Sequence, residues 1–264
     1  MRVARILLTV GAATVCCTAN AFAAPFTITQ TTNTATLINQ LLGATTGITG
    51  ITVTLNGDPT SFGTYASAPF GLADGIVLSS GRVADIVGVN TRFTGGLDLS
   101  TDFGGDNAPD ITQMDISFVA DGTSSLFFNY VFGSEEFPEF IGIFNDSFSL
   151  SLDGSNVAFL NCGQPVAVNN FTGSCFSELT LNPAGPSTVT RLDAWTSVLT
   201  ARLGLTAGAH TIRLDVRDAG NGNADSAAFI QGGTAAPVPE PATTVLLGTG
   251  LASLAVRRRW KRRA

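Results

Sequence analysis

The stretch "VFGSEEFPEFIGIFNDSFSLSLDG", residues 131–154, sets three glutamates and an Asn-Asp pair between two runs of alternating apolar residues. The glutamates are Glu135, Glu136 and Glu139, and the pair is Asn145 with Asp146. Acidic side chains among phenylalanines are costly to bury unless each one is neutralised or hydrogen-bonded. Three interpretations are open: the acids are catalytic, they bind a metal ion, or they form a structural corner of the domain.

The run that follows the acids predicts a β-strand, and similar runs recur along the chain. In "SFSLSL" (147–152) apolar residues alternate with serine, and "ITVTL" (51–55) and "HTIRLDVRD" (210–218) share this period of two. Such alternation is typical of antiparallel strands with one buried face. The predicted fold class is therefore all-β, an antiparallel and jelly-roll-like β-sandwich. Helical patterns are confined to a short N-terminal helix, about residues 33–42, and a C-terminal hydrophobic helix.

The first 23 residues are predicted to be a secretory signal peptide. Two arginines precede an apolar run that ends in Ala21-Phe22-Ala23, the small-x-small pattern of a signal peptidase site. Cleavage is expected after Ala23, so signal peptidase is a predicted partner. The β-sandwich domain is then expected to span residues 24–236 and to lie outside the cytoplasm.

The C-terminal residues 237–264 combine three features in a fixed order. They are the motif Pro239-Glu240-Pro241, a segment without charge (242–256), and six Arg and Lys residues around Trp260. At about 1.5 Å per residue the apolar segment spans roughly 22 Å as a helix, less than the ~30 Å hydrocarbon core. It is predicted to be a short transmembrane segment that holds the protein in the membrane before processing. The basic cluster should stay on the cytoplasmic side.

This tail resembles the PEP-CTERM protein-sorting signal. In that family an exosortase recognises the tail, cleaves near the motif, and releases or re-anchors the protein. The resemblance implies an exosortase as partner, the inner membrane as a station in transit, and the cell surface or extracellular matrix as destination. It covers only the tail and implies nothing about what the domain does.

The charge of the exported part argues against nucleic acid as a partner. Outside the signal peptide and the basic cluster, six arginines stand against 20 acidic residues, a net charge of about −14. A surface of this sign repels DNA and attracts cations. Two cysteines, Cys162 and Cys175, remain after signal cleavage, and outside the cytoplasm such a pair is predicted to form a disulfide.

The signatures of enzymes are weak. His210 is the single histidine, and no G-x-S-x-G turn is present, so a Ser-His-Asp triad is not expected. Two carboxylates about 5 to 9.5 Å apart could serve a glycoside hydrolase, but no tryptophan for sugar stacking lies near them in sequence. The chain is predicted not to be an enzyme. A calcium-dependent, lectin-like carbohydrate-binding module is the alternative, with Tyr65, Tyr130 and Trp195 as candidate aromatic contacts.

Calcium is the cofactor that suits the acidic clusters. It takes six to eight oxygen ligands, which Asp, Glu and Asn side chains on sandwich loops can supply. None of the clusters has the spacing of an EF-hand. The candidate ligands are Glu135, Glu136, Asn145, Asp146, Asp106, Asp218 and Asp225. The same residue types also form ordinary turns, so the sequence leaves metal binding open. Without a cation, Arg213 or Arg217 would have to neutralise the buried acids.

The sequence from Phe128 to Leu152 resembles the signature of the choice-of-anchor L domain, a bacterial surface module found with varied anchoring tails. Four further blocks agree in order: "GIVLSSG" (75–81), "GGDNAPD" (104–110), "DAWTSVLTA" (193–201) and "DAGNGNADSAAFI" (218–230). One difference is Asn221, which stands where the family often has an acid. The resemblance implies an exported, non-enzymatic β-sandwich. The expected function is that of a surface or matrix protein associated with exopolysaccharide or biofilm.

Overall fold

The computed structural model describes residues 24–42, 47–105, 109–122, 124–220 and 222–231, which form two antiparallel β-sheets packed face to face. Within these ranges there are thirteen strands: β1 (Thr27–Gln30), β2 (Ile48–Asn56), β3 (Phe62–Ala66), β4 (Asp74–Ser79), β5 (Ile111–Ala120), β6 (Ser124–Ser134), β7 (Ser147–Leu152), β8 (Ser155–Asn156), β9 (Leu179–Leu181), β10 (Ala194–Thr196), β11 (Leu199–Leu205), β12 (Gly208–Arg217) and β13 (Ser226–Gln231).

The larger sheet has eight strands in the order β1-β3-β4-β13-β6-β10-β9, and β11 also pairs with β6. The smaller sheet has five strands in the order β2-β5-β12-β7-β8. The three alternating runs of the sequence fall in β2, β7 and β12, all in the smaller sheet. The predicted antiparallel β-sandwich is therefore confirmed.

The helix predicted near the start of the domain is α1 (Thr34–Leu42). Asn33 caps it, since its side-chain oxygen accepts a hydrogen bond from the amide of Thr36 at 2.9 Å. The helix buries Leu37, Leu41 and Leu42 in the core. Short 3₁₀ helices occupy Pro59–Ser61, Val83–Asp85, Val168–Asn170 and Gly173–Glu178.

The main core lies between the two sheets. Strand β6 contributes Phe128, Tyr130 and Phe132, and the smaller sheet contributes residues such as Ile116, Leu150 and Leu214. The rings of Tyr130 and Phe148 meet across the interface at 5.2 Å. Strand β5 shows this most clearly, since it buries every second side chain, as a period of two predicts.

The larger sheet is buried on its outer face as well. A second core packs there around Phe229 of β13, whose ring lies 4.5 Å from Phe70 and 5.4 Å from Tyr65. Its other members include Ile86 and Leu99, from the long segment between β4 and β5. This segment therefore covers the outer face of the larger sheet and lies close to the ends of its strands.

Cys162 and Cys175 are joined by the predicted disulfide. None of the helices within the described ranges has the length and hydropathy that a membrane span requires. Three predictions fall outside the described residues: the apolar segment 242–256, the sorting motif Pro239-Glu240-Pro241, and the cleavage site at Ala21 and Ala23.

Candidate metal centre

The register of the larger sheet gathers acidic residues at one end. Strand β6 ends at Ser134, which pairs with the first residues of both β13 and β10. In an antiparallel pair, the residue after Ser134 lies beside the residues that precede those partners. Glu135 therefore meets Asp225 and Asp193. The Glu135 amide donates to the Asp225 carbonyl at 3.1 Å, and the Asp193 amide donates to the Ser134 carbonyl at 3.2 Å.

The smaller sheet repeats this arrangement. Strand β12 ends at Arg217, which pairs with the first residues of β5 and β7. Asp218 follows β12, while Asp110 and Asp146 precede β5 and β7. The Asp218 amide donates to the Asp110 carbonyl at 2.9 Å, and the Ala219 amide donates to Asp146 Oδ1 at 2.9 Å.

A pair of serines joins the two sets of acids. Ser226 donates its hydroxyl to Asp146 Oδ2 at 2.6 Å, and its Oγ lies 2.8 Å from Ser134 Oγ. Ser134 Oγ in turn accepts the amide of Glu136 at 2.9 Å. One end of the sandwich therefore collects acids from both sheets. We call them the strand-end acids: Glu135, Glu136, Asp193 and Asp225 from the larger sheet, and Asp110, Asp146 and Asp218 from the smaller.

Most of these acids are withdrawn from solvent. Glu135, Glu136, Asp146 and Asp193 are 0% exposed, and Asp218 and Asp225 are 2% exposed. Burial of a carboxylate is costly unless a cation or hydrogen-bond donors compensate it.

No arginine, lysine or histidine of the described residues forms an ion pair with six of these acids: Glu135, Glu136, Asp146, Asp193, Asp218 and Asp225. Arg213 pairs with Asp115 at 2.7 Å, and Arg217 pairs with Asp215. The two arginines that the sequence offered as alternative partners are thus engaged elsewhere. These six acids must be neutralised by protons or by a bound cation.

Several buried carboxylate oxygens accept no hydrogen bond from the described residues. Both oxygens of Glu136 and both of Asp218 are in this state. So is one oxygen each of Glu135, Glu139, Asp193 and Asp225. An unsatisfied buried polar group costs about 1–3 kcal/mol, and more when it is charged. The strand register brings these oxygens to one end of the sandwich, and their burial without a partner is the strongest structural sign that this end binds a ligand.

The pKa values of the buried acids are raised. The pKa of Asp146 and of Asp225 rises to about 7, and that of Glu135 to about 8. The pKa rises to about 9 for Glu136, Asp193 and Asp218. Burial is the largest cause each time, and repulsion between neighbouring carboxylates adds to it. A bound divalent cation would stabilise the charged carboxylates and so lower these pKa values.

The other predicted ligands lie differently. Asn145 is exposed, and its side-chain oxygen accepts the Asn169 amide at 2.9 Å. Asp106 lies outside the described residues. Glu139, which was part of the opening stretch, does reach the site, half-buried, with one oxygen on the Gly95 amide at 3.0 Å. Asp193 is a strand-end acid that sequence reasoning missed, since only the non-local pairing of β10 with β6 brings it there.

A tighter donor set exists but does not fit a metal. Of the described residues, only Cys162, Cys175 and Glu178 bring three donor atoms within 4.8 Å of one another. Because the cysteines are bonded to each other, they offer no thiolate. The strand-end acids are more widely spaced, as expected for like charges. Calcium suits such a set because its geometry is flexible and water or carbonyl oxygens can complete it.

The candidate aromatic contacts for sugar serve packing instead. Tyr130 is 0% exposed and Tyr65 is 2% exposed, so neither offers its face to a ligand. Trp195 is half-buried and packs edge-on against Phe70, with ring centroids 5.0 Å apart. These residues do not form the exposed aromatic platform that would favour a lectin-like module.

Fold and site together define an antiparallel β-sandwich domain with a buried acidic centre at one end. The family model described as choice-of-anchor L domain matches residues 26–236, and the chain belongs to that family. A second model, the PEP-CTERM protein-sorting motif, matches residues 237–259. This signal indicates recognition by an exosortase and export through the membrane to the cell surface or extracellular space.

Comparison with curated proteins gave no match. Among solved structures, a family 35 carbohydrate binding module from an environmental isolate is 13% identical, with a TM-score of 0.24. That likeness covers 62% of this chain and 98% of the module. An isomalto-dextranase of Arthrobacter globiformis T6, complexed with panose, is 14% identical, also with a TM-score of 0.24. It is matched over 69% of this chain and 23% of its own length. Similarities of this size carry no argument about ligand or activity.

Proposed function

We propose that this protein is a non-catalytic surface or matrix protein whose β-sandwich is completed by calcium bound to the strand-end acids. The observation that carries the proposal is the set of buried carboxylates whose oxygens have no partner, and which form no ion pair, within the described part of the chain. Export places the domain, after removal of its signal peptide, where free calcium is available. The sorting tail brings it to the surface.

A non-catalytic role is supported by the burial of the acids. A glycoside hydrolase needs its two carboxyl groups on either side of a scissile bond, open to a sugar chain. Glu135, Glu136 and Asp146 are 0% exposed, which leaves no room for a substrate. Their raised pKa values follow from burial and mutual repulsion and so do not by themselves indicate catalysis.

A cation that binds only the folded domain stabilises it by mass action. At a calcium concentration a hundredfold above Kd the gain is about 2.7 kcal/mol. For a domain of this size, each kcal/mol raises the melting temperature by about 2–4 °C. Removal of calcium with a chelator should therefore lower the melting temperature of the exported protein by about 5–10 °C.

Glu136→Gln is the decisive variant. With a pKa of about 9, the Glu136 carboxyl is protonated at pH 7 when no cation is bound, so a neutral amide replaces a neutral acid. We expect the variant to melt close to wild type in chelator but to lose most of the gain in calcium. Asp121→Asn, at an exposed position, is the control and should keep the full response. A wild-type protein whose melting temperature is the same in calcium and in chelator would refute the proposal.

The sorting part of the proposal has its own test. Alanine replacement of Pro239-Glu240-Pro241 should leave uncleaved protein in the inner membrane of the native host. Fractionation and immunoblotting would show the larger form there. If size and secretion are unchanged, the tail is not what directs the protein.

We extend the proposal to association with exopolysaccharide, on the basis of charge. An exported part with a net charge of about −14 can approach an acidic polysaccharide only through cations. Co-sedimentation with the host's isolated exopolysaccharide should therefore occur in calcium and be lost in chelator. If the protein stays in the supernatant under both conditions, this extension is wrong while the calcium site is unaffected.

A further inference from the structure

We infer that the strand-end acids and their loop neighbours hold two separate divalent cations, one on each side of the Glu135–Glu136 peptide. The inference rests on the proposed function, which requires that a cation completes this end of the sandwich. It adds the number of ions and assigns residues to each. We call the two positions the loop-side position, around Glu135, and the inter-sheet position, around Glu136.

The loop-side position is built from three carboxylates that share one pattern. Each spends one oxygen on a donor from residues 90–99 and keeps its second oxygen free. Glu135 Oε1 accepts the amides of Asp98 and Leu99. Asp193 Oδ1 accepts the Asn90 side-chain amide at 2.7 Å, and Glu139 Oε1 accepts the Gly95 amide at 3.0 Å.

The remaining oxygens, Glu135 Oε2, Asp193 Oδ2 and Glu139 Oε2, are buried and accept no hydrogen bond from the described residues. Two of these side chains, Glu135 and Asp193, are 0% exposed. One segment of chain therefore orients three carboxylates and leaves each with one oxygen for a shared ligand. The three oxygens are not all within 4.8 Å of one another, so a hard cation would draw the carboxylates together as monodentate ligands.

The inter-sheet position uses acids from both sheets. Glu136 and Asp218 each keep both oxygens free while lying 0% and 2% exposed. Asp146 lies between the sheets, anchored by Ser226 and by the Ala219 amide. Two fully free carboxylates can each bind a cation through both oxygens, as calcium ligands commonly do.

One ion cannot serve both positions. The Glu135 carboxylate accepts the amides of Asp98 and Leu99, in the segment that covers the outer face of the larger sheet. The inter-sheet position is instead tied to the smaller sheet, because Ser226 bonds Asp146. Each side gathers at least three carboxylates, more charge than a single shared divalent ion would balance.

The test is the number of calcium ions bound per exported chain, measured by equilibrium dialysis with metal analysis. Wild type should bind two. Asp193→Asn, whose amide oxygen can still accept from Asn90, should bind one, and Glu136→Gln should also bind one. The double variant should bind none, and the control Asp121→Asn should bind two.

Because a variant can fail to fold, europium luminescence on the wild-type chain gives an independent count. Two environments should appear as two excitation bands that fill together or in sequence. One ion per chain with one band would overturn the two-ion inference and leave the proposed calcium-completed fold standing. No bound ion would overturn both.

Discussion

Gly81→Ala probes how closely the backbone packs against the acidic centre. A Cβ added at Gly81 would lie 1.9 Å from Asp225 Oδ2 and 2.2 Å from its Cγ. Contacts that short cannot persist, so the Asp225 carboxylate must move by more than about 1 Å to reach ordinary contact distance. Gly81 is not among the positive-φ glycines, so the penalty expected for alanine is this collision.

The size of the effect follows from two losses. Overpacking a well-filled interior costs about 1–3 kcal/mol. Moving Asp225 also breaks its hydrogen bond from the Thr101 amide, 3.0 Å long, which is worth about 1.5–3 kcal/mol for a charged acceptor. Glycine-to-alanine exchange returns about 0.4–1 kcal/mol through the unfolded chain. The net loss is about 1.5–5.5 kcal/mol, or a drop in melting temperature of roughly 3–20 °C.

Thermal unfolding followed by circular dichroism in chelator measures this loss without any contribution from calcium. Gly204→Ala is the control: Gly204 lies in β11, and a Cβ there would meet nothing within 4 Å. We expect the control to melt at or slightly above the wild-type temperature. If Gly81→Ala melts within a degree of Gly204→Ala, Asp225 is free to move and our description of a tightly packed centre is wrong.

Two further predictions lie outside the acidic centre. The pKa of His210 is raised by its hydrogen bond to Asp153 and by a second one to a backbone carbonyl. The charged imidazole therefore stabilises the fold fully below the usual histidine pKa of about 6.5. This contribution is lost as the pH rises through the pKa of the folded state. His210→Gln should lower the free energy of unfolding by up to about 1 kcal/mol at pH 6 and leave it unchanged at high pH. Urea unfolding at both pH values measures this, and an equal loss at both would contradict the ion pair. Tyr65→Phe should leave the free energy of unfolding unchanged or higher, because the buried Tyr65 hydroxyl has no partner among the described residues. Tyr130→Phe should cost about 1 kcal/mol, because its hydroxyl binds the Phe159 carbonyl at 3.0 Å, and equal stability of the two variants would show that this bond contributes nothing.

The part of the fold that sequence predicts well is the smaller sheet. Its strands β2, β7 and β12 bury one face, so apolar and polar residues alternate and the period is visible in the sequence. Strands β4 and β13 are buried on both faces, beneath the main core and beneath the segment that covers the outer face. A strand enclosed in this way has no polar alternation, and its sequence alone does not distinguish it from a buried helix.

Some residues of the candidate site can be predicted from local sequence, and others cannot. Glu135, Glu136 and Asp146 are conspicuous because they interrupt an apolar stretch of only 24 residues, and a local reading finds them. Asp193 stands alone in sequence, beside a three-residue strand, and nothing local marks it. Only the pairing of β10 with β6, across about sixty residues of chain, brings it to Glu135. The position of Asp193 depends on how distant strands pair, and local sequence does not contain that information.

The same register explains why a cation would act on folding as a whole. The strand-end acids extend from Asp110 to Asp225 along the chain, and they meet only when both sheets have formed and packed together. An unfolded chain cannot hold these carboxylates in one place, so nearly all of the binding free energy appears as folding free energy. In the folded domain without a cation, the same carboxylates oppose closure through desolvation and mutual repulsion, as their raised pKa values show. A single group of side chains therefore penalises or favours the closed sandwich according to whether a divalent cation is present, which is why we expect the calcium response to be large and to be reduced by a neutral substitution at Glu136.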